Sequence, residues 1–290
     1  MHDAPCFLDG EYLRVSQARV SVLDRGFIFG DGVYEVVPVY GRRLFRFDEH
    51  MARLTRSLAK LRIPNPAARD EWLARCRTLV QSEPAADQVV YLQVTRGVAP
   101  RTHRFPNPPV APNELIYVDA IDGDPYGAYR DGAKLLTVPD VRWRRCDIKS
   151  VNLLANCLAA QAAAEAGCLE ALLVAADGSV TEGSHTSLFA VQGGRILATP
   201  LGPQILPGIT RGLMVKLAAR AGIEIVDRSV KHADLATIDE MFLTGTTSEV
   251  LPVTQVDGKP IGNGRPGPVT QKLVATYNDY VRDWLAGRAE

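Results

Sequence analysis

A mixed α/β fold in two domains is predicted by three observations. The first third reads as strands around an inserted helical pair, and the second half as interleaved strands and helices. With 290 residues and 46% hydrophobic content, the chain is long enough for two cores of ordinary size. Near the middle, Asp122-Gly123-Asp124-Pro125-Tyr126-Gly127 gathers the residues of an interdomain linker. The expected division is a smaller α/β domain over 1–121, a linker over 122–132 and a larger domain over 133–290.

In chain order, Asp9-Gly10 and Tyr40-Gly41 predict hairpin turns between short alternating strands. Met51, Leu54, Leu58 and Leu61 recur at three- and four-residue spacing after Asp48 as N-cap, and Pro64 stops the run, which marks an amphipathic helix. A second helix is expected over Trp72–Val80, and buried strands over 89–94 and 115–121. The Pro-rich stretch 105–112 reads as an ordered loop. Beyond the linker, strand 135–138 leads to an alanine-rich helix expected over 151–166, with Gly167 closing it. Strands follow at 171–175, 188–191, 196–198, 223–230 and 241–244, with helices starting near Ile209 and Pro268.

Composition excludes several classes of partner. Thirty-three basic and 33 acidic residues balance to zero net charge, so no field favours nucleic acid or an anionic membrane. No apolar run reaches membrane-spanning length, and the N-terminal residues lack a signal-peptide pattern. Five cysteines without CxxC or Cys/His spacing suggest free thiols in a reducing cytoplasm and no metal. Small molecules or further copies of the chain are the expected partners.

Lys149, in Asp147-Ile148-Lys149-Ser150, is the residue around which chemistry can be built, because lysine forms a Schiff base with an aldehyde. Two segments suit phosphate: Pro207-Gly208-Ile209-Thr210-Arg211 opens a helix, and Thr244-Gly245-Thr246-Thr247-Ser248 ends a strand with hydroxyls around a glycine. Each alone also reads as an ordinary cap or turn. With Lys149 they suggest a phosphorylated aldehyde such as pyridoxal phosphate, whose ring nitrogen Glu182 in Thr181-Glu182-Gly183-Ser184 could partner. Glu182 equally fits a surface strand. Arg101 offers a planar fork for a carboxylate and His103 a second donor, with a solvated loop cluster as the alternative. Tyr34 follows a glycine-rich stretch, and Gly30-Asp31-Gly32 is not a dinucleotide fingerprint because a strand pattern follows it.

Together these segments resemble the fold type IV pyridoxal-phosphate enzymes, which include branched-chain aminotransferases, D-amino acid aminotransferases and aminodeoxychorismate lyase. The resemblance rests on Asp24-Arg25-Gly26 with Phe29-Gly30-Asp31-Gly32-Val33-Tyr34-Glu35, Asp147-Ile148-Lys149-Ser150, Thr181-Glu182-Gly183-Ser184, Leu206-Pro207-Gly208-Ile209-Thr210-Arg211 and Thr246-Thr247-Ser248-Glu249, in the family's order. It covers nearly the whole chain. Val94-Thr95-Arg96-Gly97 with Pro100-Arg101-Thr102-His103 is most similar to the D-amino acid aminotransferases.

The resemblance implies two α/β domains with pyridoxal 5'-phosphate between them, the larger domain binding it, and at least a homodimer. It makes Lys149 the Schiff-base lysine and proton shuttle, Glu182 the ring-nitrogen partner and Leu206 a contact on the ring. Arg53, Ile209, Thr210 and Thr247 would hold the phosphate, with Ser184 and Thr246 among the cofactor contacts. Tyr34, Arg101 and His103 would trap the substrate α-carboxylate. The implied reaction moves the amino group of a D-amino acid, of the D-alanine or D-glutamate type, to 2-oxoglutarate or pyruvate. A lyase, a branched-chain L-aminotransferase and an (R)-amine transaminase share the fold, and Arg101-Thr102-His103 argues against them. A silent cofactor-binding protein would be expected to lose Lys149 or Glu182. His185 and Gly245 depart from the family pattern, where asparagine or serine is usual.

Overall fold

A computed structural model describes residues 3–289 and divides the chain into two compact units. One runs through Gly123 and also takes in Ile148–Asn152; the other holds Asp124–Asp147 and the chain from Leu153 onward. The expected boundaries of 121 and 133 do not include this return of the lysine segment. From Asp124 on, the expected linker is an ordered part of the second unit, where Arg130 donates to both Asp124 carboxylate oxygens and to the Ser248 carbonyl.

The first unit is a six-stranded antiparallel sheet with one short and two longer helices. Its strands are β1 (Pro5–Leu8), β2 (Glu11–Arg14), β3 (Gly32–Tyr40), β4 (Arg43–Leu44), β5 (Gln88–Thr95) and β6 (Asn113–Ala120), in the order β2-β1-β6-β5-β3-β4. Asp9 and Gly10 both take positive φ, as do Gly41 and Arg42, so each tight hairpin is the kind that matches strand twist. A short helix, α1 (Arg25–Phe29), starts at Asp24, whose carboxylate caps the N–H groups of Gly26 and Phe27, and stops at Gly30 in the left-handed region.

Helices α2 (Phe47–Leu61) and α3 (Arg69–Ser82) cover one face of this sheet. Leu54, Leu58, Trp72 and Leu79 pack there against Val33, Val37, Val90, Leu92 and Ile116. Fully burying each large aliphatic side chain contributes about 1.5–3 kcal/mol. The expected N-cap, Asp48, instead lies in the first turn of α2. Arg46, at φ 54°, holds the cap position without a capping side-chain bond. Asp48 still favours the helix N-terminus by charge and receives the Arg69 guanidinium at 2.7 Å.

The second unit carries a nine-stranded mixed sheet. Its strands are β7 (Ala133–Pro139), β8 (Glu170–Val174), β9 (Val180–Gly183), β10 (Ser187–Gln192), β11 (Arg195–Ala198), β12 (Ile225–Asp227), β13 (Glu240–Gly245), β14 (Glu249–Val256) and β15 (Lys259–Pro260). Their order is β12-β11-β10-β13-β14-β7-β8-β9, with β15 paired to β14. The helices are α4 (Leu154–Glu165), α5 (Ile209–Arg220) and α6 (Pro268–Leu285). No helix among the described residues is long and apolar enough to cross a membrane.

Two elements are shorter than expected. The helix predicted over 151–166 starts only at Leu154, because Ser150 bridges to Val33 and the Val151 N–H donates to the Gly32 carbonyl at 3.1 Å. Pairing with β3 holds this backbone out of the helix, in a tight turn where the Ser150 N–H donates to the Ile148 carbonyl at 2.8 Å. The strand predicted over 223–230 shrinks to Ile225–Asp227, since the Ile223 N–H donates to the Ala218 carbonyl and closes α5.

Candidate active site

The expected site residues form two sets, one in each unit. In the first unit, the Tyr34 N–H donates to the Lys149 carbonyl at 2.9 Å, which seats the lysine segment on the exposed edge of Gly32–Tyr34. Ile148, buried in the core beside it, fixes the segment from the other side. The Lys149 Nζ then lies 4.2 Å from the centre of the Tyr34 ring. Such a contact draws the amine toward the face of the Tyr34 ring. Tyr34 stacks in turn on Tyr91, and Tyr91 on Tyr117, at 5.7 and 4.9 Å between ring centres.

Strand alternation sends the next residue, Glu35, to the opposite, buried face. Arg53 from α2 grips it with two hydrogen bonds of 2.7 and 2.8 Å, and His50 Nδ1 lies 2.7 Å from the same carboxylate. Burial works against the Glu35 charge, yet Arg53 and His50 outweigh it and bring the carboxyl down to about 2. Burial holds the His50 pKa below its ordinary value despite Glu35, with Arg53 and Lys149 pushing the same way. Arg53, expected at the cofactor phosphate, is thus locked in orientation by a carboxylate that the sequence reading passed over. The signal was available: Glu35 falls in the apolar phase of the strand, between Val33 and Val37, where a carboxylate needs a buried cation.

Arg101 and His103 are exposed and meet on one ring: Phe29 lies 5.5 Å from the Arg101 guanidinium and 5.6 Å from the His103 ring centre. The loop they share is tied to α1 by Arg25, which donates to the Thr102 carbonyl.

In the second unit, Glu182 lies one residue before the end of β9, almost fully buried. Its Oε2 accepts from the Leu206 N–H at 3.2 Å, and its Oε1 accepts from Arg142. Arg142 is itself held by Asp140, to which Thr181 Oγ1 also donates. Burial pushes the Glu182 carboxyl above the ordinary carboxylate range, while Arg142 pulls the other way. Such a carboxyl can share a proton with a basic ring nitrogen. The reading of Glu182 as a surface strand residue is overturned. Arg142 and Asp140 were not anticipated, and their i, i+2 pairing just after β7 was the available clue.

Ser184, His185 and Thr186 wrap around a second buried carboxylate, Glu170. It accepts from the His185 N–H at 2.8 Å, the Thr186 N–H at 3.1 Å, Ser184 Oγ at 3.3 Å and Thr186 Oγ1 at 3.0 Å. The His185 ring turns outward, about half exposed, with Nδ1 3.3 Å from Glu170. Cys146 is buried and its thiol pushed up to about 11 by burial, which suits a structural residue.

A cradle for an anion surrounds Gly245. Helix α5 opens at Gly208 with no side-chain cap, so its first N–H groups remain available to a ligand. A Cβ on Gly208 would stand 2.8 Å from Ser187 Oγ, and one on Gly245 2.5 Å from Ser248 Oγ. Thr210 Oγ1 donates to the Gly245 carbonyl at 3.0 Å, and Thr246 and Thr247 form the turn into β14. Thr244 Oγ1 and Ser248 Oγ are buried without a hydrogen-bond partner among the described residues. Unsatisfied buried hydroxyls beside an uncapped helix N-terminus are the donors a phosphate needs. With a buried carboxyl for a ring nitrogen, these residues fit pyridoxal phosphate.

Residues 32–256 match the family model for class IV amino-transferases. The chain is 38% identical over 275 residues to D-alanine aminotransferase of Staphylococcus aureus (strain MSSA476), covering 95% of this chain and 97% of that protein. It is 40% identical over 265 residues to D-alanine aminotransferase of Bacillus licheniformis, covering 91% and 93%. Its fold matches the branched-chain amino acid aminotransferase from Escherichia coli at a TM-score of 0.87 and 26% identity, covering 100% of this chain and 96% of that one. The chain belongs to the class IV aminotransferases, enzymes that work with pyridoxal 5'-phosphate.

Proposed function

We propose that this chain moves the amino group of a D-amino acid, of the D-alanine or D-glutamate type, to a 2-oxo acid such as 2-oxoglutarate or pyruvate. The observation that carries the reading is the pair of Arg101 and His103 on the Phe29 ring, a planar fork and a second donor suited to an α-carboxylate. The D-alanine aminotransferases similar over most of the chain support it.

When bound, pyridoxal phosphate supplies the aldehyde that receives the amino group and a ring that accepts the electrons of the broken Cα–H bond. Lys149 would hold the aldehyde through Nζ. As a free amine, Nζ would take the α-proton from the substrate and later return a proton. Glu182 holds a proton at the ring nitrogen, with Arg142 and the Leu206 N–H fixing its carboxylate. Arg53, oriented by Glu35, would hold the phosphate, and Ile209, Thr210, Thr246, Thr247 and Ser184 would hold phosphate and ring. Tyr34, Arg101 and His103 hold the substrate carboxylate, which decides the Cα–H bond offered to Lys149 and therefore the enantiomer.

The enzyme works as a homodimer in the cytoplasm. The dimer is supported by large exposed apolar side chains, with Val22 and Phe27 more than 70% exposed and Leu154 and Leu158 one turn apart on α4. Five cysteines without a disulfide support a reducing compartment.

The deciding experiment offers D- or L-alanine with 2-oxoglutarate to the cofactor-loaded protein, following pyruvate and resolving the glutamate enantiomers. Pyruvate and D-glutamate from D-alanine alone are expected. Turnover confined to L-amino acids would transfer the assignment to a branched-chain type enzyme.

A further inference from the structure

Arg25 reaches two segments of the first unit at once. Its side chain is 3% exposed; Nε donates to Asp31 Oδ2 at 2.9 Å and Nη1 to the Thr102 carbonyl at 2.7 Å. Thr102 is the residue between Arg101 and His103. The Arg25 guanidinium also lies 4.8 Å over the Phe29 ring, the ring against which Arg101 and His103 both rest. Asp31 is gripped from its other side by Arg96, at 2.8 and 3.0 Å, and Arg96 donates further to the Leu61 and Arg62 carbonyls at the end of α2. The one-turn helix α1 thus supplies both the ring beneath the loop and the anchor of its backbone.

This arrangement bears on binding because Arg101 and His103 are exposed. Long exposed side chains lose rotamer freedom when they close on a carboxylate, and that cost falls when the backbone between them is already fixed. A hydrogen bond to the Thr102 carbonyl fixes it. We propose that Arg25 is a positioning residue for the substrate α-carboxylate, acting through Thr102 and Phe29 on Arg101 and His103 without touching substrate. The inference rests on the carboxylate-trap reading above. Lysine cannot take this place: its ammonium is a single point, whereas the guanidinium fork meets two acceptors on separate segments and lays a flat face on Phe29.

The test compares Arg25→Lys, Phe29→Leu and Arg101→Ala in the cofactor-loaded enzyme. For Arg25→Lys, KM for D-alanine should rise about tenfold or more with kcat nearly kept, as loss of a charge-assisted hydrogen bond implies. The inhibition constant of propanoate, alanine's carboxylate without its amine, should rise in proportion. The dissociation constant for pyridoxal phosphate, read by equilibrium dialysis, should not move. An unchanged KM, or a loss expressed in kcat and cofactor affinity instead, overturns the role. If Arg25→Lys does not fold, Phe29→Leu decides in the same way, since it removes the shared ring. Arg101→Ala separates the two levels. If it leaves KM unaltered, the trap itself is misassigned and the inference falls with it; if it raises KM while Arg25→Lys does not, only the role of Arg25 falls.

Discussion

Arg142 and Glu182 form a buried ion pair in which the guanidinium is shared with Asp140, so one cation sits between two carboxylates. Each side chain of the Arg142–Glu182 pair is 6% exposed. Breaking a buried pair from one side leaves an uncompensated charge and costs about 3–5 kcal/mol. Arg142→Met should therefore lower the stability of the cofactor-free protein by that order in urea unfolding. Adding Glu182→Gln should recover part of the loss. Strict additivity of the two substitutions would show that the pair is not coupled.

Lys149→Ala should abolish amino transfer and also the visible absorbance of protein-bound cofactor, while leaving the fold intact, because only the side chain beyond Cβ is removed. Turnover at the parent rate would remove Lys149 from the chemistry.

Thr244 Oγ1 and Ser248 Oγ lack partners among the described residues. Thr244→Val and Ser248→Ala should leave the cofactor-free protein as stable as the parent or slightly more so, because each relieves an unsatisfied buried group. Cofactor affinity should weaken by about five- to tenfold per hydroxyl, the equivalent of one ordinary hydrogen bond. Unaltered affinity in both variants would place the phosphate elsewhere.

Stability should fall with acid through the Glu35–His50–Arg53 cluster. Glu35 has a folded value of about 2 against an ordinary 4.5, so its contribution is complete above 4.5 and is lost as pH falls toward 2. His50 is held below its ordinary 6.5, so as pH drops through 6.5 the unfolded chain takes up a proton that the folded chain resists. Both effects run in the same direction. His50→Gln should flatten the decline of the urea midpoint between about pH 7 and about pH 5, the range below the ordinary histidine value. A slope equal to the parent's would exclude His50 as its source.

Much of the local framework of the candidate site was legible, because helix starts and strand-end turns are local. Gly208 opens α5, the Thr244–Ser248 hydroxyls surround Gly245, and Glu182 sits on a strand, as their neighbours in sequence require. The hairpin at Asp9-Gly10 was equally local, while the one expected at Tyr40-Gly41 turns one residue later, at Gly41-Arg42. The partners that hold the functional groups were not legible, because they come from distant segments: Arg142 is 40 residues before Glu182, and Thr102 is 77 residues after Arg25. The start of α4 shows the same limit. Residues 151–153 have helical patterning, yet a long-range bridge to β3 overrides it. Asp48 has the chemistry of an N-cap, but the turn from β4 places Arg46 there.

The returning stretch Ile148–Asn152 has a further consequence, for the order in which the polypeptide becomes competent. The chain leaves the first unit after Gly123 and revisits it for only five residues. A fragment ending at Gly123 would present the edge of Gly32–Tyr34 bare, and a fragment starting at Asp124 would carry the lysine without the strand that seats it. A cut at that boundary yields no half that owns both. During synthesis, the aldehyde-reactive amine therefore takes its seat only after some 25 further residues have followed the first 123, a topological delay built into the connectivity.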